Sequence, residues 1–278
     1  MTKARPGSPA ALVEKLREDL ANLAALTAAG GLSAPARRKL EADMRAIVVE
    51  LEELLLNLDP IRQPAAVFDP GNPKIIGRFI SLAMVAQPRV PLAELQAFYG
   101  SGVYALYYNG DFPLYEPIKG TETPIYVGQA APAINNARTP KEQEDRLARR
   151  LRDHAGNIAR ATSTLRLEDF EFRSLVVQSG WETAAEDYLI HLFQPIWNSE
   201  TKILYGLGKH GDSATTRANK RSPWDTLHPG RTWAADSTDD ARTPEQIEAD
   251  LTRHFAETRI YATLDDVLHD FVAELSQI

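Results

Sequence analysis

At 278 residues, with 44% apolar and 25% charged side chains, the chain has the composition of an ordinary globular protein and room for one large or two small domains. It contains no cysteine, which excludes disulfides and cysteine-ligated zinc, and no apolar run approaches the roughly 18–20 residues of a membrane span. The opening Met-Thr-Lys-Ala-Arg-Pro-Gly-Ser-Pro lacks the apolar stretch of a secretory signal, so the expectation is a cytosolic protein with no membrane partner.

The net charge of −7 is unevenly placed. Residues 234–278 carry 11 acidic and 3 basic side chains, whereas residues 1–233 carry 27 acidic and 28 basic ones. Screening confines a surface charge to about 8–10 Å at physiological salt, so an acidic tail does not exclude a polyanionic partner elsewhere on the chain.

In chain order, Leu12, Leu16, Leu20, Leu23 and Leu26 recur at helical spacing and predict a helix over residues 10–29, stopped by Gly30-Gly31. Ser33 and Pro35 start a second helix that runs to about residue 58, with Leu40, Met44, Ile47, Leu51, Leu54 and Leu55 on one stripe. Two helices around a Gly-Gly break predict an antiparallel hairpin over residues 1–60: either a packed accessory arm, or an arm for oligomerisation or for embracing a partner. Residues 61–100 read as a proline-rich linker, a short helix over 74–85 and one or two helical turns over 92–98.

Residues 102–108, Gly-Val-Tyr-Ala-Leu-Tyr-Tyr, are aromatic and β-branched with no charged residue, which predicts a buried strand. Residues 125–129, Ile-Tyr-Val-Gly-Gln, predict a second strand, and alternation places Tyr104, Leu106 and Tyr108 on one face of the first. Residues 141–158 predict a helix whose inner stripe is Leu147, Leu151, Ala155 and Ile158. Arg146, Arg150 and His154 form a second stripe on its shoulder. A third strand over 170–177 and a helix over 183–193, ended by Pro195, complete a core over residues 101–200. Residues 201–233 lose regular pattern and carry six Lys or Arg against Asp212 and Asp225. Residues 234–278 predict two further helices, 244–257 and 264–278, in the acidic tail. The fold class is therefore α+β: an antiparallel three-stranded core flanked by helices, with an N-terminal helical hairpin and a C-terminal helical extension.

Several side chains can carry chemistry, and each has an ordinary structural explanation beside it. Tyr104 and Tyr126 sit where core tyrosines are common, and Arg150 and His154 on a helix shoulder are compatible with simple solvation. Asn198 after Pro195-Ile196-Trp197 fits a turn. Thr183-x-x-Glu186 matches a capping box, yet Glu186 shares the inward face with Ile190 and Phe193, while Asp187 and His191 take the outward one. A carboxylate on an inward face needs a partner or a metal, because desolvating it bare is costly. The six histidines form no zinc pattern, and no phosphate-binding loop, dinucleotide fingerprint or nucleophile elbow is present.

The order strand–strand–helix–strand–helix, carrying Gly102-Val103-Tyr104, Tyr126-Val127-Gly128, Arg150, Glu186 and Asn198, resembles the GIY-YIG nuclease superfamily, with valine for the central isoleucine of each triplet. More narrowly, Arg150-x-x-x-His154, the Leu-Tyr-Gly-Leu-Gly-Lys-His stretch and Trp-Asp-Thr-Leu-His-Pro-Gly-Arg resemble its type II restriction endonucleases that cut the palindrome CCGCGG. The resemblance implies a one-metal, Mg²⁺-dependent phosphodiester hydrolase with Tyr104, Tyr126, Arg150, His154, Glu186 and Asn198 as catalytic residues and Glu186 as the metal ligand. It leaves open which group takes the proton.

Arg146, Lys202, Lys209, His210, Arg217, Lys220, Arg221 and Arg231 are the expected contacts to double-stranded DNA, since Arg and Lys suit guanine in a GC-rich site. A palindromic target implies a homodimer or homotetramer, and a restriction role in a bacterial cytoplasm implies a companion DNA methyltransferase. Two other readings remain open: a homing or repair nuclease of the same superfamily, and a DNA-binding protein with an inactive site. Against them stand the lack of a recognisable extra DNA-binding module and the complete set of six site residues.

Overall fold

The computed structural model describes residues 8–28, 33–58, 61, 68–178, 180–208, 220–235, 237 and 239–275. The chain divides into two units, residues 1–65 and 66–278. The first contains α1 (Pro9–Ala28) and α2 (Ala34–Leu58), where the leucine periodicity places them. No α1 residue is buried, and Leu12, Leu20, Met44, Ile47, Leu54 and Leu55 of the two stripes are exposed. Leu16, Leu23, Leu40 and Leu51 of the same stripes are half-buried. The Gly30-Gly31 break lies outside the described residues.

The second unit opens with α3 (Pro73–Val85), started by Asn72, whose side chain accepts from the Lys74 amide. It is followed by a two-residue strand β1 (Val90–Pro91), then β2 (Gly102–Tyr108), β3 (Tyr126–Ala130), α4 (Arg146–Arg160), β4 (Phe170–Val176) and α5 (Glu182–Phe193). The sheet is antiparallel in the order β1-β4-β2-β3, so the predicted three-stranded core gains a fourth strand at one edge. Two residues are too few to show a period of two, and Pro91, which lacks a ladder donor, is at home only at an edge. Residues 92–98 contribute only a short 3₁₀ turn, Leu92–Glu94.

Every residue of β2 is buried, which explains its unbroken apolar sequence. Val103, Ala105 and Tyr107 pack with Met84 of α3 and with Leu189 and Phe193 of α5. Tyr104, Leu106 and Tyr108 face the opposite layer, with Leu147, Leu151 and Ile158 of α4 and the indoles of Trp197 and Trp224. The inner stripe predicted for α4 is therefore its buried face.

This helix begins at Arg146, five residues later than its pattern suggests. Gln143 is drawn away to bridge the ends of two strands, accepting from the Ser101 amide and donating to the Val177 carbonyl. After β4 and α5 come β5 (Lys220–Arg221), α6 (Pro223–Leu227), α7 (Thr232–Ala235) and β6 (Asp239–Asp240), then α8 (Pro244–Glu257) and α9 (Leu264–Leu275). The acidic tail belongs to the body of this unit. Ile247 and Leu251 of α8 join the α4-side core, and Val267 of α9 joins the α5-side core.

The approach of α3 to α5 sets where α5 lies. A Cβ on Gly77 would stand 2.5 Å from the Ala184 carbonyl oxygen, a backbone atom that cannot move alone. Gly77→Ala is expected to force the helices apart and to lower stability by about 1–3 kcal/mol, the usual cost of overpacking. Urea denaturation measures it, and an unchanged midpoint would show that the two helices separate freely.

Candidate active site

The two tyrosine triplets meet because of strand register. In the antiparallel pair β2–β3, Tyr104 lies opposite Gly128 and Leu106 opposite Tyr126, so both tyrosines project from the same face as diagonal neighbours. Their ring centroids are 6.0 Å apart. A Cβ on Gly128 would fall 2.5 Å from the Tyr104 hydroxyl and 2.9 Å from Cε1 of Tyr126, so this position must be glycine for the two phenols to share the space. Gly102, opening the first triplet, has φ +152°, a conformation that disfavours side chains.

Helix α4 supplies the next two groups. The Tyr104 hydroxyl and His154 Nε2 are 2.6 Å apart, and the imidazole also lies 4.9 Å, centroid to centroid, from the Tyr126 ring. Tyr104 and His154 are covered from solvent, whereas Tyr126 and Arg150 are half-buried. Burial holds the Tyr104 phenol well above its ordinary pKa. The neighbouring Tyr126 adds to the rise, and the Arg150 guanidinium opposes it by charge and hydrogen bonding. Tyr126 is likewise raised by burial, with Arg150 opposing and Glu186 reinforcing. Both phenols are neutral at physiological pH, and Arg150 retains its charge, its own pKa raised by the two phenols against the effect of desolvation.

Glu186 comes from α5, whose start resolves its competing explanation. The helix begins at Glu182 with Trp181 as its N-cap residue, so Thr183 lies inside the first turn and the expected Thr183–Glu186 capping box does not form. The carboxylate at the helix end is that of Glu182, which accepts from the Gly180 amide at 2.7 Å and from the Ser101 hydroxyl at 3.2 Å. Glu186 is left on the half-buried inward side. Its pKa is raised to about 7, chiefly by burial; Glu200 and Asp187 add to the rise and hydrogen bonds from Gln129 oppose it. Gln129 also donates to the Thr183 hydroxyl, tying β3 to α5 beside the carboxylate.

Asn198 does a different task from its five companions. Its side-chain oxygen accepts from the Val127 amide at 2.9 Å and its Nδ2 donates to the Val127 carbonyl at 2.8 Å. Both ends of the buried amide bond the middle of the second triplet, so Asn198 holds Tyr126 and Gly128 in place.

The expected DNA contacts divide. Arg146 and Lys202 lie at or near the surface, and Arg146, Arg149 and Arg150 line a groove of about 370 Å³ with Gln129, Ala130, Ala131 and Asp153. Arg149 was not singled out in the sequence, although it lies on the same helix one residue from Arg150. Lys209, His210 and Arg217 fall outside the described residues. Lys220 is exposed, but Arg221 pairs with Asp240 at 2.6 Å across the β5–β6 contact. Arg231 is buried against the equally buried Asp225 at 2.6 Å and donates to the Gly206 and Leu207 carbonyls, so it is a structural cation and not a surface one. A charge count along a sequence cannot distinguish a solvated arginine from one buried with its counter-ion. His228 is buried too, its pKa lowered to about 3 by burial, and its Nε2 lies 2.5 Å from the Tyr115 hydroxyl.

Two tyrosines from paired strands, an arginine and a histidine one turn apart, and a carboxylate from the next helix are gathered around Tyr126. The Eco29kI GIY-YIG domain matches residues 96–255, more than half of the chain, and the chain belongs to that family. Eco29kI is a type II restriction enzyme recognising CCGCGG. The chain thus carries an Eco29kI-type restriction endonuclease domain, and membership implies a DNA hydrolase that binds DNA. Comparison with curated proteins gives no match.

The double hydrogen bond of Asn198 makes a specific expectation. Asn198→Asp keeps the size and the acceptor but turns an anionic oxygen toward the buried Val127 carbonyl. Leaving that pair unsatisfied is expected to cost about 1–3 kcal/mol, measured by chemical denaturation. A fully stable Asn198→Asp protein would show that the triplet does not depend on this clamp.

Proposed function

We propose that this chain is a type II restriction endonuclease that makes Mg²⁺-dependent double-strand breaks at a GC-rich palindrome, CCGCGG by its kinship with Eco29kI. The observation that carries the reading is the convergence of Tyr104, Tyr126, Arg150, His154 and Glu186 beside an arginine-lined groove.

In the reaction an oxygen–phosphorus bond forms from water while the bond from phosphorus to the 3′ oxygen breaks. Arg150 is placed to fork onto the phosphate oxygens as negative charge develops there. The Tyr104 phenol is held neutral, so it serves as a relay: it takes the proton lost by water and passes its own to His154 Nε2, 2.6 Å away. Tyr126 orients the phosphate beside Arg150, and Asn198 keeps Tyr126 in place through Val127.

Glu186 suits a hard divalent cation. It is a desolvated carboxylate with a pKa raised to about 7, and the described residues contain no cluster of three or more candidate ligands. A single protein carboxylate matches Mg²⁺, which keeps most of its waters. When bound, such an ion supplies positive charge to the phosphate and to the departing oxygen.

Recognition of DNA is assigned to Arg146, Arg149, Lys202 and Lys220 among the described residues, together with Lys209, His210 and Arg217. A palindrome read half by half calls for a homodimer or homotetramer. The exposed apolar stripes of α1 and α2 support these helices as contact elements between copies. A host whose own DNA carries the site needs a companion methyltransferase, and both proteins would work in the cytoplasm. No described helix is long and apolar enough to cross a membrane.

Incubation of the protein with plasmid DNA and Mg²⁺, followed by sequencing of the ends, is expected to give discrete double-strand fragments at CCGCGG. Nicking alone, or intact plasmid, would overturn the proposal. Glu186→Gln is expected to retain DNA binding and to lose cleavage by at least ~10²–10³-fold.

The pH dependence follows from the raised pKa. Below about pH 7 the Glu186 carboxyl is protonated and the proton competes with the cation; above it the carboxylate is free to bind. The Mg²⁺ concentration for half-maximal cleavage should therefore rise about tenfold per unit as pH falls below this range, and level off above it. Cleavage titrations and calorimetry of metal binding measure this, and a flat profile would remove Glu186 from the metal site.

A further inference from the structure

We propose that Gly208 is a positioning residue for Arg150: the space its missing side chain leaves is where the guanidinium sits, and a buried Arg231–Asp225 pair holds the glycine there. The proposal rests on the reading of Arg150 as the phosphate-binding group. A Cβ on Gly208 would stand 2.9 Å from Arg150 Nη2, 3.8 Å from its Cζ and 3.7 Å from the Tyr126 hydroxyl. The first distance is shorter than a carbon and a nitrogen tolerate, and the atom encountered is the end of a flexible side chain. Arg150 would yield, and the backbone would not.

Residues 206–208 are held in place from several directions. Arg231 donates to the carbonyl of Gly206 at 2.9 Å and to that of Leu207 at 3.1 Å, while its Nε meets Asp225 at 2.6 Å. Its guanidinium lies 4.6 Å from the centre of the Trp224 ring. The Leu207 carbonyl also accepts from Nδ2 of Asn157 at 3.0 Å, and the Leu207 side chain is fully buried.

Asn157 stands on α4 three residues beyond His154 and seven beyond Arg150. One side of that helix thus provides the proton acceptor, the guanidinium and the hook for the segment lying against the guanidinium. An arginine–carboxylate pair with both side chains at most 2% exposed is rigid, because neither charge can leave its partner without being stranded. Arg231 and Asp225, which the chemistry leaves otherwise unused, serve this placement.

Gly208→Ala is the test. It adds one methyl group at a residue without a positive φ, so the fold is expected to persist and the guanidinium to shift. A misplacement on the order of 1 Å in a catalytic group can cost about 10²-fold. Single-turnover cleavage at saturating DNA should fall by about 10–10²-fold, with thermal melting unchanged.

In an Arg150→Ala background the same substitution should add no further loss, because the group it displaces is gone. The Arg150 side-chain Nε–Hε resonance in ¹⁵N NMR should move in Gly208→Ala and reads the displacement without any cleavage assay. Absence of cleavage by the wild-type protein together with a moved resonance would remove the proposed function and leave the positioning role standing. An unmoved resonance, equal losses in both backgrounds, or a loss of stability that accounts for the lost rate would each overturn the positioning role.

Discussion

The hydroxyl of Tyr104 and the imidazole of His154 meet at 2.6 Å inside a space that residue 128 leaves open by having no side chain. That contact depends on the β2–β3 register, since a slip of one residue would turn every side chain of β3 to the other face and replace Gly128 with Val127 or Gln129 opposite Tyr104. The register in turn is secured from outside the sheet, because Asn198 grips both backbone groups of Val127. The rotation of α4 about its axis is the remaining variable. Leu147, Leu151 and Ile158 fix it by burial, which leaves Arg150 and His154 directed at the phenols from the shoulder of the helix.

Burial acts on the ionisable groups of the site in one direction. It keeps Tyr104 and Tyr126 neutral and pushes Glu186 toward neutrality, while Arg150, a guanidinium that does not lose its proton, stays charged. The site therefore holds a net positive contact for phosphate and one carboxylate whose ionisation is costly until a cation arrives. On the proposed reading these two halves are complementary. The permanent cation stands where the phosphate must be held, and the conditional anion stands where a metal ion completes the charge balance.

The core strands and helices were legible in the sequence because their signals are local. The unbroken apolar run of β2 marks a strand buried on both faces, and the four-residue spacing of α4 separates its leucines from Arg150 and His154. The same local signals failed where a distant partner decides the outcome. Gln143 fits a helical pattern, yet Ser101 and Val177 draw it out of the helix. Thr183 fits an N-cap, yet the helix starts two residues earlier than that cap implies, with Trp181 as N-cap and Glu182 bonded to Ser101 and Gly180. Arg231 reads as one more cation in a basic stretch, and only the fold shows that Asp225 lies beside it away from water. The apolar stripes of α1 and α2 predicted the two helices, because helical spacing is a local signal.

These corrections change how the charge of the molecule is understood. The acidic tail supplies α8 and α9 to the core and brings Asp240 against Arg221, so its negative charge is partly neutralised within the fold. With Arg221 and Arg231 engaged internally, the arginines that line the groove beside the site stand on α4, where Arg146 lies one turn before Arg150. On the proposed reading, a phosphate track and the hydrolytic centre thus share a single rigid element. A backbone contact made at Arg146 then constrains the position of the phosphate presented to Arg150, because both side chains stand on one rigid helix, about 6 Å apart along its axis. Grip and cut are coupled by helix geometry, without any need for a net positive charge on the whole chain.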